Sequence, residues 1–271
     1  MRFRIALSLL AAGAVVLSVG QAQAADTLLN PEPIANQGDD IIIWVGGGIQ
    51  VQPDYVGSDD YELQPLILID PERIRFQRFQ VMNSERHVGF SIGPSFGFVG
   101  GRDEDDNAAL QGLGDVDFTF ELGLRARYEA EFWRVFVAGR YGLGGHEGFV
   151  GDIGADVILN VTPNLRLTAG PRARFGDDNF YDAYFAVSPE QAAASVVGLP
   201  VFDPDPGIHS VGIEAELIYQ INEDWRAHLR GGYDRLVGDA EDSPIVAIAG
   251  DEDQFHIGFG VAYRLAFDLF D

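Results

Sequence analysis

The chain has 271 residues, with 42 acidic against 18 basic side chains and a net charge of −24. So acidic a surface repels phosphate backbones, which excludes nucleic acid as a partner. The absence of cysteine excludes disulfides, thiolate metal sites, haem attachment and thiol catalysis, while 46% hydrophobic residues, 19 Phe and 33 Gly exclude a disordered chain and suit a β protein.

The first 24 residues read as an export signal. Arg2 and Arg4 give a basic start, Ile5 to Val19 an apolar run, and Ala22-Gln23-Ala24 a cleavage site. The expected organisation is a signal peptide over 1–24, a periplasmic segment over 25–38 and a β-domain over 39–271. No later stretch has the length of a transmembrane helix. Strands remain able to cross a membrane, because about 9–11 tilted residues suffice.

Period-2 alternation then recurs along the chain. The first strand signal is Asp40–Gln52, apolar and then glycine-rich. "ELQPLILID" and "RIRFQRFQV" follow, flanking an expected turn at Asp70-Pro71-Glu72-Arg73. Val88, Phe90, Ile92, Phe96 and Phe98 share one parity. Phe118, Phe120, Leu122, Leu124 and Tyr128 oppose Asp117, Thr119, Glu121, Arg125 and Arg127, and the pattern restarts at Trp133. Leu165–Phe175, Val211–Ile221, Trp225–Tyr233 and Phe255–Phe267 continue it, with Gly148–Val161 a strand whose faces are less tidy. Such runs are strands with one oily and one polar face.

The alternation runs about 11–13 residues, longer than the usual 5–6 of soluble strands. Aromatics such as Trp133, Tyr141, Tyr219, Trp225 and Tyr233 fall near strand ends on the oily parity. The polar parity mixes arginines, carboxylates and glycines. Together these favour an all-β, antiparallel transmembrane β-barrel over a sandwich. The expected count is about 12 strands, with Ser243–Ala249 supplying one that the periodicity leaves unmarked. Tight turns at 129–131, 162–164 and 222–224 contrast with long loops at 100–115, 176–209 and 236–253. One short loop helix is expected at Ser188–Gly198, where Ser188 can cap, Pro189 can take the first position and Gln191 can complete a capping box.

Candidate sites are few. Gly57-Ser58-Asp59-Asp60 can hold a cation or a partner, or form a solvated turn. The four acids 103–106 in "GGRDEDDNAAL" lack EF-hand spacing and read better as a solvated loop. His209 and Ser210 are neighbours on a strand and point to opposite faces, which argues against a rim esterase. Arg166, Arg172, Arg174, Arg226 and Arg230 share the polar parity and can meet Glu121, Glu214 and Glu216 in an ion-pair network, or line a charge-selective pore. No catalytic, cofactor or metal residues are expected.

Four segments carry a family resemblance: Gly46–Leu66 with its P-x-Y-x-G-S-D-D loop, Gly112–Tyr128, Tyr184–Ser195 and Tyr233–Val246. In that order they resemble the MltA-interacting protein (MipA/OmpV) family of Gram-negative outer membranes. The resemblance implies an outer-membrane barrel among lipid and lipopolysaccharide. It also implies a non-enzymatic scaffold that joins a lytic transglycosylase to a penicillin-binding protein; a narrow solute pore and an adhesin are the alternatives. The motif positions Pro53, Tyr55, Gly57, Ser58, Asp59, Asp60, Gly238, Asp239, Ser243 and Pro244 become candidate interaction sites. One departure stands out: the family tends to end on an aromatic residue, whereas Phe270 is penultimate here.

Overall fold

The computed structural model describes residues 41–76, 79–83, 89–105 and 107–268. The expected signal peptide, the segment 25–38 and Phe270 lie outside them. Eleven strands occur among the described residues: β1 (Ile41–Pro53), β2 (Tyr61–Phe76), β3 (Phe79–Asn83), β4 (Gly89–Val99), β5 (Thr119–Glu129), β6 (Trp133–Gly144), β7 (Phe149–Thr162), β8 (Leu165–Gly176), β9 (Gly207–Gln220), β10 (Trp225–Leu236) and β11 (Asp253–Phe267). They form one sheet in the order β3-β2-β1-β11-β10-β9-β8-β7-β6-β5-β4, and every hydrogen-bonded pair is antiparallel.

Two consequences follow from that order. First and last strands pair, from Ile41↔Phe267 to Val51↔Ile257. The two edges are β3 and β4, and alternating direction around the sheet makes these two run the same way.

The alternation decides what each face does. Along β6, Trp133, Val135, Val137, Tyr141 and Leu143 are exposed, while Phe136 and Ala138 are buried and Arg134 and Arg140 half-buried. Along β11, Phe255, Ile257, Phe259, Val261 and Tyr263 are exposed, and Gly258, Gly260 and Ala262 are buried. The oily face is therefore outermost and the polar face innermost, the reverse of a soluble sandwich. The inner face is concave. Arg166 on β8 bonds Glu129 on β5, and Arg226 on β10 bonds Glu72 on β2, each pair three strands apart. In a flat sheet three strand spacings measure about 14 Å, beyond the reach of such a pair. The sheet is thus strongly curled.

Three expectations need correction. Ser243–Ala249 is not a strand. Ser243 accepts a hydrogen bond from the Ile245 amide, Pro244 takes the first turn, and Pro244–Ala249 is helical. The described residues hold four short helices rather than one: α1 (Asp178–Tyr184), α2 (Pro189–Ala194), α3 (Asp239–Asp242) and α4 (Pro244–Ala249). The helix expected at Ser188–Gly198 is α2, with its capping box formed, but it stops at Ala194. Finally, Asp70-Pro71-Glu72-Arg73 is not a turn. β2 runs through it, with Ile42 paired to Arg73 and Ile43 to Pro71, so Glu72 is an extra residue in a bulge. Bulges are among the few places in a sheet that tolerate proline, which lacks the ladder donor.

Tight turns close one end of the sheet, as at Ala130, whose amide donates to the Trp133 carbonyl at 2.8 Å. The loops 54–60, 100–118, 145–148, 177–206 and 237–252 all leave from the opposite end. No helix among the described residues is long and apolar enough to cross a membrane.

Candidate functional site: a loop cap and an ion-paired inner face

The long loops fold on one another. Asp177 starts α1 by accepting from the Phe180 amide at 3.1 Å, and it also holds the Phe149 amide at 2.7 Å. Its aromatic residues then fall on one side: Phe180, Tyr181 and Tyr184 are buried with Phe185 against Val150, Leu236, Ala240 and Val246. The Phe180 ring lies 5.0 Å from Tyr184, 4.8 Å from His209 and 5.2 Å from His146. A second cluster joins Tyr55, Leu110, Leu113, Val187, Leu199 and Ile245, drawn from four different loops. Each large side chain buried this way contributes about 1.5–3 kcal/mol, enough to hold loops that share no sheet.

The motif positions form the pin of this cap. Gly57 adopts φ +94°. Its amide donates to Gln254 Oε1 at 3.1 Å, and its carbonyl accepts from the Asp251 amide at 2.9 Å. Tyr55 Oη donates to the Ala249 carbonyl at 3.2 Å, and Gln254 Nε2 donates to the Ser58 carbonyl at 3.1 Å. Ser243 Oγ donates to the Phe185 carbonyl at 2.7 Å, while Asp239 Oδ2 accepts from the Asp205 amide at 2.7 Å. Gly238 precedes α3 at φ +61° and Pro244 is buried at the start of α4. Pro53 closes β1 against Tyr61. Asp59 and Asp60 are exposed. The two motifs, nearly 200 residues apart, therefore meet chiefly to lock two loops together.

Burial raises the pKa of Tyr55 and of Tyr181 to about 12, in the latter case with help from Asp239, and raises that of Tyr184 as well. Arg102 is buried in the same cap, and burial lowers its pKa. Its backbone pairs with Val116, and its Nη1 reaches the Tyr184 carbonyl at 3.5 Å.

In the acidic loop Glu104 turns its carboxylate onto the loop's own backbone, while Asp103 and Asp105 are exposed. Glu104 Oε2 accepts from the amides of Gly112 and Gly114, both at 2.9 Å, and Asp115 accepts from the Glu104 amide at 3.0 Å. Asp251, Glu252 and Asp253 bring carboxylate oxygens within 4.8 Å of one another, but Arg235 already bonds Glu252 and Asp253. His209 and Ser210 are both buried, and no hydrogen bond joins them.

Below the cap, the concave face is an ion-pair network. Arg140 bonds Glu121 at 2.7 Å and Asp152 at 2.5 Å; Arg172 bonds Asp156 at 2.7 Å. Arg174 bonds Asp234 and lies 3.6 Å from Glu214, and Arg230 lies 3.1 Å from Glu216. His146 joins from the 145–148 loop, 3.2 Å from Glu121. Glu72, the bulged residue, accepts from both Trp44 and Arg226, and the Arg226 guanidinium stacks 3.8 Å over the Trp44 ring. The five arginines and three glutamates singled out by parity all lie in this network. Sequence reasoning missed Arg134, Arg140 and the acids Asp152 and Asp156. Strict parity continued from Trp133 and Phe149 would have found them.

The model of the MltA-interacting protein MipA family matches residues 45–265, a span that holds the cap and nearly the whole sheet. The chain belongs to this family. No curated protein matches it. Among solved structures, it is similar to the outer membrane protein OprG from Pseudomonas aeruginosa, at 12% identity over 84% of this chain and 97% of that one, with a TM-score of 0.29. Neisserial surface protein A gives 10% identity over 84% and 97% with a TM-score of 0.27, and a Pseudomonas aeruginosa FadL homologue gives 9% over 84% and 89% with 0.31. At such TM-scores these likenesses say nothing about residue positions, and membership of the family rests on the sequence match.

Proposed function

We propose that this chain is an outer-membrane β-barrel that acts as a non-enzymatic scaffold, holding a murein-cleaving lytic transglycosylase beside a penicillin-binding protein. The observation that carries the membrane half is the inverted sheet, with its oily residues outside and its arginines and carboxylates inside. A strand of 12 residues tilted by about 40° spans about 30 Å, the thickness of a hydrocarbon core. Aromatic pairs mark the two edges of the belt: Tyr128–Trp133 and Trp225–Tyr263 at the tight-turn end, Tyr141–Phe149 and Tyr233–Phe255 at the loop end. Acyl chains would meet the belt, and lipopolysaccharide the loop end.

Strand direction supports closure. β3 pairs with β2, β4 pairs with β5, and both run the same way. Taken as two parts of one strand line, they seal the sheet into ten antiparallel strands. That count is even, as single-chain bacterial barrels require. It is two fewer than the expected 12.

The partner half rests on the family's name, and the cap favours it over the pore, since loops pack two hydrophobic clusters over one mouth. Two measurements test the reading. Folded chain should migrate faster than boiled chain in detergent gels, and affinity capture from solubilised envelopes should retain a lytic transglycosylase. Stepwise conductance in planar bilayers, without any captured murein enzyme, would replace the scaffold with the pore.

A further inference from the structure

We infer that the inner face carries an oxyanion-binding site built on Arg125 and Arg127 of β5, suited to the carboxylate or phosphate of a small solute. Every arginine of β6, β8 and β10 bonds a carboxylate. Among the described residues, the two on β5 do not. Arg127 Nε donates to Ser91 Oγ at 3.1 Å, and the Arg125 guanidinium lies 4.8 Å over the Phe136 ring without any hydrogen bond. Arg125 is exposed toward the concave space.

Two arginines at i and i+2 share a face, with backbones about 7 Å apart. Both side chains can therefore reach one tetrahedral or planar anion between them. A guanidinium offers five donors in a fixed fork that fits such oxygens in pairs. Stacking on Phe136 uses the face of Arg125 and leaves its edge donors free. The Phe136 ring is itself fixed, because it covers Gly154 of β7, where even a Cβ would come within 2.6 Å of it. The acids whose charge reaches Arg125 are already engaged, while Asp70 of β2, which attracts Arg127, forms no ion pair with it among the described residues. Asp152 and Glu214 exert the attraction that reaches Arg125, yet they bond Arg140, Arg172 and Arg174, while Arg134 and Arg140 add positive charge nearby. Their position follows from strand direction. β5 runs from the cap at Thr119 to the tight-turn end at Glu129, so both arginines sit in the half away from the cap.

The site rests on the enclosed, wet interior proposed above and not on any murein partner. Full-length chain folded in detergent is titrated calorimetrically with inorganic phosphate and, separately, with succinate at constant ionic strength. Saturable binding of at least one is expected, and the stronger arm tells whether phosphate or carboxylate is preferred. Arg125→Gln/Arg127→Gln should weaken it about tenfold or more, the loss of one or two charge-assisted bonds. Arg125→Lys keeps the charge but not the fork and should weaken it several-fold, which covers the case of a double variant that does not fold. Arg235→Gln at the loop end should leave it unchanged. No saturable binding of either anion, or undiminished binding in the β5 variants, overturns the site. Failure of the wild type to show a folded, heat-modifiable band would instead sink the barrel reading.

Discussion

At the scale of single residues, Gly57 is the most constrained position of the cap. Its φ of +94° lies where a side chain is strained, and a Cβ there would sit 2.6 Å from Val246 Cγ2. Across the contact, a Cβ on Gly250 would lie 1.9 Å from the Gly57 carbonyl oxygen, which is backbone and cannot swing away. Gly57→Ala should therefore cost the docked loops about 2 kcal/mol or more, from backbone strain plus overpacking. The expected readout is faster proteolysis in 237–252 while the strands stay protected. Equal cleavage of variant and wild type would remove Gly57 from this role. Tyr55 and Tyr181 make the cap sensitive to alkali. Both have folded pKa values raised to about 12 by burial, so the unfolded loops lose these protons first. The stabilisation is complete below about pH 10, the ordinary tyrosine value, and drains away as pH rises to about 12. Tyrosinate absorbance and loop proteolysis should rise together across that window, and Tyr55→Phe should remove its own share of the absorbance change.

Elements differ in how legible they were. Seven of the strands, β4–β6 and β8–β11, announce themselves because an exposed oily face and a wet inner face force strict parity, and no core contact has to override it. Ser243–Ala249 misled because Ile245, Val246 and Ile248 have strand propensity, although the Ser-Pro pair before them is a helix start. Pro71 misled in the opposite sense: it reads as a turn, but a bulge absorbs it and turns Glu72 inward to Trp44 and Arg226. The loop motifs were legible as positions and not as contacts, since nothing local tells that Gly57 will meet Gln254. Helix α1 was missed altogether, yet Asp177 before "DNFYDAYF" offers a cap followed by aromatics at helical spacing. That helix is the keystone of the cap. Phe180→Ala removes a ring packed on Tyr184, His209 and His146, at a cost of about 3–5 kcal/mol for a buried phenylalanine. Hydrogen exchange should quicken through 177–206 and 237–252 and leave β5–β7 unchanged. Uniform quickening through the sheet would mean that cap and strands form one cooperative unit.

For the whole molecule, the decisive property is that oily and charged surfaces have traded places. Neighbouring residues on one strand thus face opposite solvents. Val137 and Ala138 sit side by side on β6; the first is exposed at 54% and the second buried at 2%. In a membrane barrel, Val137 meets acyl chains near mid-height of its strand, where an arginine costs about 2–4 kcal/mol. In a water-soluble protein the same exposed residue would accept arginine at almost no cost, as surface substitutions do. Val137→Arg should then lower stability in lipid bilayers by about 2–4 kcal/mol, and the penalty should shrink for Val135→Arg toward the aromatic edge marked by Trp133. Equilibrium unfolding from lipid vesicles by denaturant measures both. If the two arginines cost nothing, the belt does not face lipid. Closure can be read on the same scaffold, since the chain has no cysteine of its own. Spin labels on cysteines at the exposed positions Ile67 of β2 and Ile92 of β4 should report the short separations of adjacent strands, whose backbones lie about 5 Å apart. An open sheet would hold its two edges apart and give long distances, leaving β3 and β4 as separate edges and the ten-strand ring unformed.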